Sequence, residues 1–371
     1  MKFSFKYFFR LDWLLIALVV LLISTGLLLI YSTSFKADQS PNYNNFIHQT
    51  IYATIGLTVM LMMSVVNYRG LRNVTNYLYL FAIISLIIVL MLGRTVLGST
   101  RWISFGFFNF QPSEITKLIL IIILAKYFSD HLHEMKFFKH FLISGLYVLI
   151  PTVLVILEPD LGTALSYVVI WLVMVAIAGV RALHLLLLGA GAGAIFPLAW
   201  FFLLKDYQKE RLISFLNPKQ DPLGSGYNVV QSMIAVGSGR IFGRGLGYGP
   251  QSHLNFLPVQ HTDFVFAVLA EELGFVGAII LLGIFGILLW RIFRIILLAA
   301  DNFGKLLSIG VFTIILFQVL INVGMNIGIM PVTGIPLPLV SYGGSSLLLF
   351  MLSFGIILSI SANKEKIEFN K

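Results

Sequence analysis

Apolar runs of about bilayer-crossing length recur along the whole chain and leave it few ways to fold. They lie at 12–33, 47–66, 74–93, 113–129, 141–157, 161–179, 184–204, 264–290, 303–328 and 343–361, and about 20 residues at helical rise cross a hydrocarbon core. Of the 371 residues, 58% are hydrophobic and only 11% charged. A water-soluble chain of this length could not hide so much apolar surface. The sequence therefore predicts an all-α polytopic membrane protein with about ten transmembrane helices. No tandem repeat or second soluble domain interrupts it, so residues 1–371 read as a single integral-membrane domain. Glu158-Pro159-Asp160 divides 141–179 into two spans, and the glycine-rich run 184–204 counts as a full one.

Lys and Arg set the orientation, because short cytoplasmic loops retain them. With the amino terminus inside, fifteen of the 25 basic residues fall on inner segments, among them Arg69, Arg72, Lys126, Lys136, Lys139, Arg291 and Arg294. Ten fall outside, six of them in the long segment 205–262, where the rule has little force. Both termini are therefore assigned to the cytoplasm, and the first run to a retained anchor. The same topology accounts for most of the net charge of +9, and no compact basic module with interleaved aromatics points to nucleic acid. The absence of cysteine excludes disulfides and thiol catalysis.

Polar chemistry concentrates at 243–274, GRGLGYGPQSHLNFLPVQHTDFVFAVLAEELG. There a polar stretch abuts the apolar run that starts at Phe264, which sets the Asp263 carboxylate, beside His261 and Thr262, at the membrane–water boundary. The long extracellular loop leading to it, about 205–262, opens on charged KDYQKER and carries the breakers Asn217-Pro218, Asp221-Pro222 and Gly224-Ser225-Gly226. Tyr227 to Val236 reads as a short amphipathic helix on the membrane surface. On the same side, Arg101, Lys117, Lys205, Lys209, Arg211, Arg240 and Arg244 are candidates to neutralise phosphate. Gly243, Gly245, Gly247 and Gly249 would admit backbone amides close to its oxygens. GRGLGYG has the spacing of neither a Walker loop nor a dinucleotide fingerprint.

Three outer helix starts carry acids, and helix initiation competes with function at each. Gln111-Pro112-Ser113-Glu114 places proline and an acid in a first turn, where both are favoured. Lys117 lies three residues on, so it is either a partner for Glu114 or a ligand for an anion. Glu158-Pro159-Asp160 repeats the pattern, and Asp263 could equally cap the helix that follows it. Deeper in the spans, Glu271, Glu272, Gln318, Asn322 and Asn326 should face protein or a wet cavity, and interhelical hydrogen bonding is the simpler of their two readings. Gly328 to Ser346 is too broken by Pro and Gly to be a regular helix and reads as a re-entrant or outer-face loop.

Four ordered motifs, GSTRWISFGFFNFQPSEITK at 98–117, EPDLGTAL at 158–165, RGLGYGPQSHLNFLPVQHTDFVFAVLAEELGFVG at 244–277 and NVGMNIGIMPVTGIPLPLVSYGGSS at 322–346, resemble the SEDS family, named for shape, elongation, division and sporulation. The resemblance spans nearly the whole chain, and the third and fourth motifs look more like the elongation branch than the division branch. Val259 departs from the pattern, since similar proteins often carry Glu there.

The resemblance implies a peptidoglycan glycosyltransferase that polymerises lipid II on the outer face of the bacterial cytoplasmic membrane and releases undecaprenyl pyrophosphate. Asp263 matches the family's catalytic aspartate. Arg101, Trp102, Lys117, Arg211, Arg244, His261 and Thr262 are then the substrate-binding candidates, with Glu114, Glu158 and Asp160 supporting them. A divalent cation, Mg or Mn, is also implied, with ligands the motifs do not identify. Implied partners are the nascent glycan strand, a class B penicillin-binding protein acting as transpeptidase, and other membrane proteins of the elongation complex. Two other classes compete: a lipid II flippase and a non-enzymatic scaffold for the cell-wall machinery.

Overall fold

The computed structural model describes residues 11–34, 42–96, 99–104, 109–202, 226–254 and 260–363, with the isolated positions 106, 209, 215, 256 and 257. Long helices form on the apolar runs: α1 (Trp13–Ser32), α2 (Asn44–Val65), α3 (Leu71–Leu92), α4 (Pro112–Asp130), α5 (Phe138–Leu157), α6 (Leu161–Ile177) and α7 (Ala182–Phe202). The short α8 (Tyr227–Ser238) follows, then α9 (Val265–Leu297), α10 (Asn302–Asn326) and α11 (Gly344–Ala362). Among the described residues, 7 helical segments are long and apolar enough to cross a membrane. α4 and α6 fall outside that group: α4 bears Glu114, Lys117, Lys126 and Asp130, and α6 has 17 residues. The first part of the extracellular loop expected at 205–262, residues 205–225 apart from 209 and 215, lies outside the described residues.

α10 and α11 form the centre of the bundle, with 72% and 83% of their apolar stretches buried against 22% for α2. Small residues let the backbones close up, as is usual where lipid tails rather than water surround a bundle. A Cβ at Gly355 of α11 would lie 2.8 Å from the Met60 carbonyl oxygen of α2, and one at Gly26 of α1 would lie 2.3 Å from that of Val340. The outward faces of α1, α2, α3 and α5 leave side chains such as Leu21, Met62, Leu80 and Leu146 exposed, as a lipid-facing surface requires.

One end of the bundle is tied by charge. Asp12 caps α1 and takes Arg291 of α9 at 2.7 Å. Asp301 caps α10 and accepts from Tyr68 at 2.6 Å and Arg69 at 2.8 Å, while Arg72 pairs with Asp130 at the end of α4. At the opposite end, between α3 and α4, a small antiparallel sheet forms from β1 (Arg94–Val96), β2 (Ser99–Ser104) and β3 (Asn109–Phe110), in the order β1-β2-β3. The β-branched and aromatic content of STRWIS suits that state. The Ser345 hydroxyl seats the sheet on the start of α11, donating to the Asn109 carbonyl at 3.2 Å and accepting from the Gln111 amide at 2.9 Å.

Candidate active site

Gly274 breaks α9, with φ 68° and ψ −164°, a conformation that glycine alone adopts cheaply. A break strands backbone groups that a continuous helix would pair, and the loop 239–249 takes them up. The N–H groups of Arg244 and Gly245 donate to the carbonyls of Glu271 and Glu272, both at 3.0 Å. In return, Phe275 and Val276 donate to the carbonyls of Arg240 and Ile241 at 2.9 and 3.0 Å. Close approach explains part of the glycine run: a Cβ at Gly243 would lie 2.1 Å from the Glu272 carbonyl oxygen.

The two buried acids above the break hold the same loop. Glu271 accepts from the amides of Gln251 and Ser252, at 2.9 and 3.0 Å, where the single helical turn Pro250–His253 begins. Glu272 accepts from the Ser32 hydroxyl at 2.5 Å and the Gly247 amide at 3.2 Å, and lies 3.3 Å from His253 Nε2. Glu272 thus makes the expected interhelical bond, to Ser32 of α1, whereas Glu271 bonds amides of the turn 250–253 rather than another span. Ser32 and its neighbour Thr33 reach Glu272 and His261 respectively, so both ends of the half-helix before Gly274 sit at the end of α1.

That arrangement brings 261–263 to rest on the centre of the bundle, where three successive carbonyls are each held. The Tyr342 amide donates to the His261 carbonyl at 2.8 Å, and the Ser341 hydroxyl to that of Thr262 at 2.5 Å. The Asp263 carbonyl accepts from the side-chain amides of both Asn322 and Asn326, at 3.0 and 3.1 Å. Asn326 Oδ1 in turn accepts from the Ala267 amide at 3.2 Å and the Ser232 hydroxyl of α8 at 3.1 Å. Gln49 of α2 locks the partner loop, accepting from the Gly343 amide at 3.1 Å and donating to the Ser341 carbonyl at 3.3 Å. The helix that follows has Phe264 at its N-cap position, and the Phe264 side chain makes no capping bond. Its side chain is half-buried, and a Cβ on Gly334 would lie 3.7 Å from its Oδ2.

Segment 333–335 joins this site to a second group of charges. Gly162 packs under it: a Cβ there would come within 2.5 Å of the Thr333 carbonyl oxygen. Asp160 caps α6 through the Thr163 amide and hydroxyl, at 3.1 and 2.9 Å, and faces Arg101 at 3.6 Å. Arg101 also donates to the carbonyls of Glu158 and Pro159, fastening β2 across the α5–α6 turn. Glu158 itself is fully buried with neither carboxylate oxygen paired among the described residues. Burial, reinforced by the Asp160 charge and only partly opposed by Arg101, pushes its pKa up to about 8. Lys117 is 0% exposed and bonds Glu114 at 2.5 Å, which is the partner reading of that pair. Trp102 lies on β2 opposite Arg94. Arg244 is exposed on the loop 239–249 and donates from Nε to the Ser238 carbonyl at 3.2 Å. Arg211 and Lys205 lie outside the described residues.

A match to the cell cycle protein family of FtsW, RodA and SpoVE runs over residues 12–366. The chain belongs to the SEDS family of peptidoglycan glycosyltransferases. It is 40% identical to the peptidoglycan glycosyltransferase MrdB of Escherichia coli strain K12 over 319 residues, 84% of each chain. It is 39% identical to stage V sporulation protein E of Bacillus subtilis strain 168 over 359 residues, 94% of this chain and 96% of that one. A chain of a peptidoglycan synthase complex, solved to show how polymerization and crosslinking are coordinated, superposes with a TM-score of 0.80 at 32% identity, covering 95% of this chain and 97% of that chain.

In this SEDS protein the clamp on 261–263 is what reading residue by residue missed. Asn322 and Asn326 stood out as polar positions in an apolar run, but Gln49, Ser232 and Ser341 carried no periodic signal. Gln318, one turn from Asn322, is buried with neither amide atom paired among the described residues. The expected divalent cation does not find a closed ligand set at Asp263: among the described residues, the one group of three His, Asp or Glu side chains close enough to share an ion is His131, Glu134 and His140. That group lies at the far end of α4.

Proposed function

We propose that this SEDS glycosyltransferase polymerises lipid II during cell elongation, with Asp263 as general base. The acceptor's 4-hydroxyl attacks the donor's anomeric carbon, the Asp263 carboxylate takes the hydroxyl proton, and the bond to undecaprenyl pyrophosphate breaks. The observation that carries this reading is the fixing of the His261, Thr262 and Asp263 carbonyls by Tyr342, Ser341, Asn322 and Asn326. A base acts well only when its position is set before substrate arrives. Charge on the leaving pyrophosphate is assigned to basic side chains on the outer side, with Arg101, Lys209, Arg240 and Arg244 among the described candidates and Lys117 reaching it on release from Glu114. His261, Thr262 and Trp102 border the same end and are assigned to the sugars.

The ten helices are taken as ten spans, with both termini cytoplasmic and Asp263 on the outer face. A class B penicillin-binding protein is taken as the crosslinking partner, which the superposition on a peptidoglycan synthase chain supports. The deciding experiment gives the purified protein labelled lipid II, with and without that partner, and resolves the products by length. Glycan chains are expected. Transfer of lipid II between leaflets without chain formation would establish the flippase reading, and neither activity would leave the scaffold.

A further inference from the structure

The turn between α4 and α5 gathers two imidazoles and a carboxylate that the proposed polymerisation does not use. One ligating atom from each of His131, Glu134 and His140 lies within 4.8 Å of the others. His140 Nε2 is 3.0 Å from Glu134 Oε2, close to the edge of about 3.3 Å that a tetrahedral zinc site needs. The two imidazole rings lie 4.7 Å apart, centroid to centroid, inclined at 36°.

Tyr127 sets both rings for ligation. Its backbone carbonyl is 3.0 Å from His131 Nδ1. A carbonyl can only accept, so His131 carries its proton on Nδ1 and, when neutral, its lone pair on Nε2. The Tyr127 hydroxyl lies 2.9 Å from His140 Nδ1, so when the His140 proton moves to Nδ1, Nε2 is released from Glu134 to a metal. Histidine ligands are commonly oriented in this way through their second nitrogen. His140 is 8% exposed, while the Glu134 side chain is 58% exposed, so the group opens to water on one side. We propose that His131, Glu134 and His140 bind one first-row divalent transition metal, zinc by preference, with water in the fourth position. Two nitrogens and one oxygen suit zinc better than magnesium or calcium, which take oxygen ligands. Asp263 lies at the other end of α4, roughly 27 Å away by the rise of 19 helical residues. The metal therefore fastens α4 to α5 and takes no part in chemistry at Asp263.

The test uses full-length protein without an affinity tag, stripped with a chelator and titrated with Co²⁺ and then Zn²⁺. The expected result is one Co²⁺ per chain with the intense visible absorption of a tetrahedral site, displaced by Zn²⁺, and a melting temperature that rises with zinc. Glu134→Gln, at an exposed site, and His131→Gln, at a partly buried one, should each abolish the cobalt spectrum. Tyr127→Phe should weaken binding by about 10-fold or more, and His133→Gln should leave it unchanged. Metal content is read on the folded fraction from gel filtration, so a poorly folding variant does not decide the outcome. Absence of saturable Co²⁺ binding by the wild-type protein, or stoichiometric binding retained by both Glu134→Gln and His131→Gln, would overturn the proposal.

Discussion

The side-chain amide of Asn326 donates to the backbone carbonyl of Asp263 at 3.1 Å while its oxygen accepts from the Ala267 amide, so one buried residue holds both ends of the first turn of α9. Replacing Asn326 with Leu leaves the Ala267 amide unpaired in an apolar interior, at a cost of about 1–3 kcal/mol. Asn326→Leu is therefore expected to lower the melting temperature and to slow polymerisation further than the loss of folded protein accounts for. Asn326→Asp keeps the acceptor and loses the donor, so it should recover part of the stability and little of the activity. Equal activity per folded molecule in all three proteins would contradict the positioning role.

Asp263→Asn keeps the size of the side chain and removes its basicity. Glycan polymerisation from labelled lipid II should disappear while the melting temperature and partner binding stay near wild type. Near-normal polymer from a well-folded Asp263→Asn protein would defeat the assignment of the base.

Lys117 and Glu114 are both buried, so removing one charge strands the other. Lys117→Ala should cost about 3–5 kcal/mol, and the double variant Glu114→Gln with Lys117→Met should recover much of that loss. Such non-additivity identifies the pair as structural. Lipid II affinity measured on the double variant then isolates any contact with substrate: if Lys117 also binds phosphate, affinity stays low although stability has returned.

Glu158 gives the fold a pH dependence with a definite sign. Its pKa rises from 4.5 to about 8 on folding, so the fold favours the protonated acid. That contribution is fully present below the unfolded value and is lost as pH rises through the folded value. Thermal melts from about pH 5 to about pH 9 should show the wild type losing stability across this window, and Glu158→Gln losing less. Parallel curves for the two proteins would remove Glu158 as the cause.

Orientation is testable because the chain has no cysteine of its own. Cysteine at Tyr248, which is 78% exposed on the Asp263 side of the bundle, should react with an impermeant thiol reagent added to intact cells. Cysteine at Lys136, on the turn between α4 and α5, should react only after lysis. The reverse pattern would place Asp263 in the cytoplasm and end the proposed mechanism.

Length and hydropathy determined the helices, because a backbone in a hydrocarbon solvent must bond to itself and apolar runs of about 20 residues have little choice but helix. Glycine and proline marked the broken segment 328–346, and the ordered motifs marked Asp263 and the family. What the sequence left undecided depended on which polar groups would meet. Glu271 and Glu272 could have faced a cavity, and only packing showed them holding the segment 247–252. Lys117 could have been a ligand for anions, and its distance to Glu114 became known only when α4 was buried at the centre of the bundle. Gln49 and Ser341 lie 292 positions apart, and no local pattern predicts that they bond. His131, Glu134 and His140 are near in sequence, yet the direction of each side chain depends on how α4 ends and α5 begins. Helix formation is local and was legible. The pairing of buried polar groups is a property of the whole packed bundle, because each donor takes the acceptor that the tertiary structure leaves within reach.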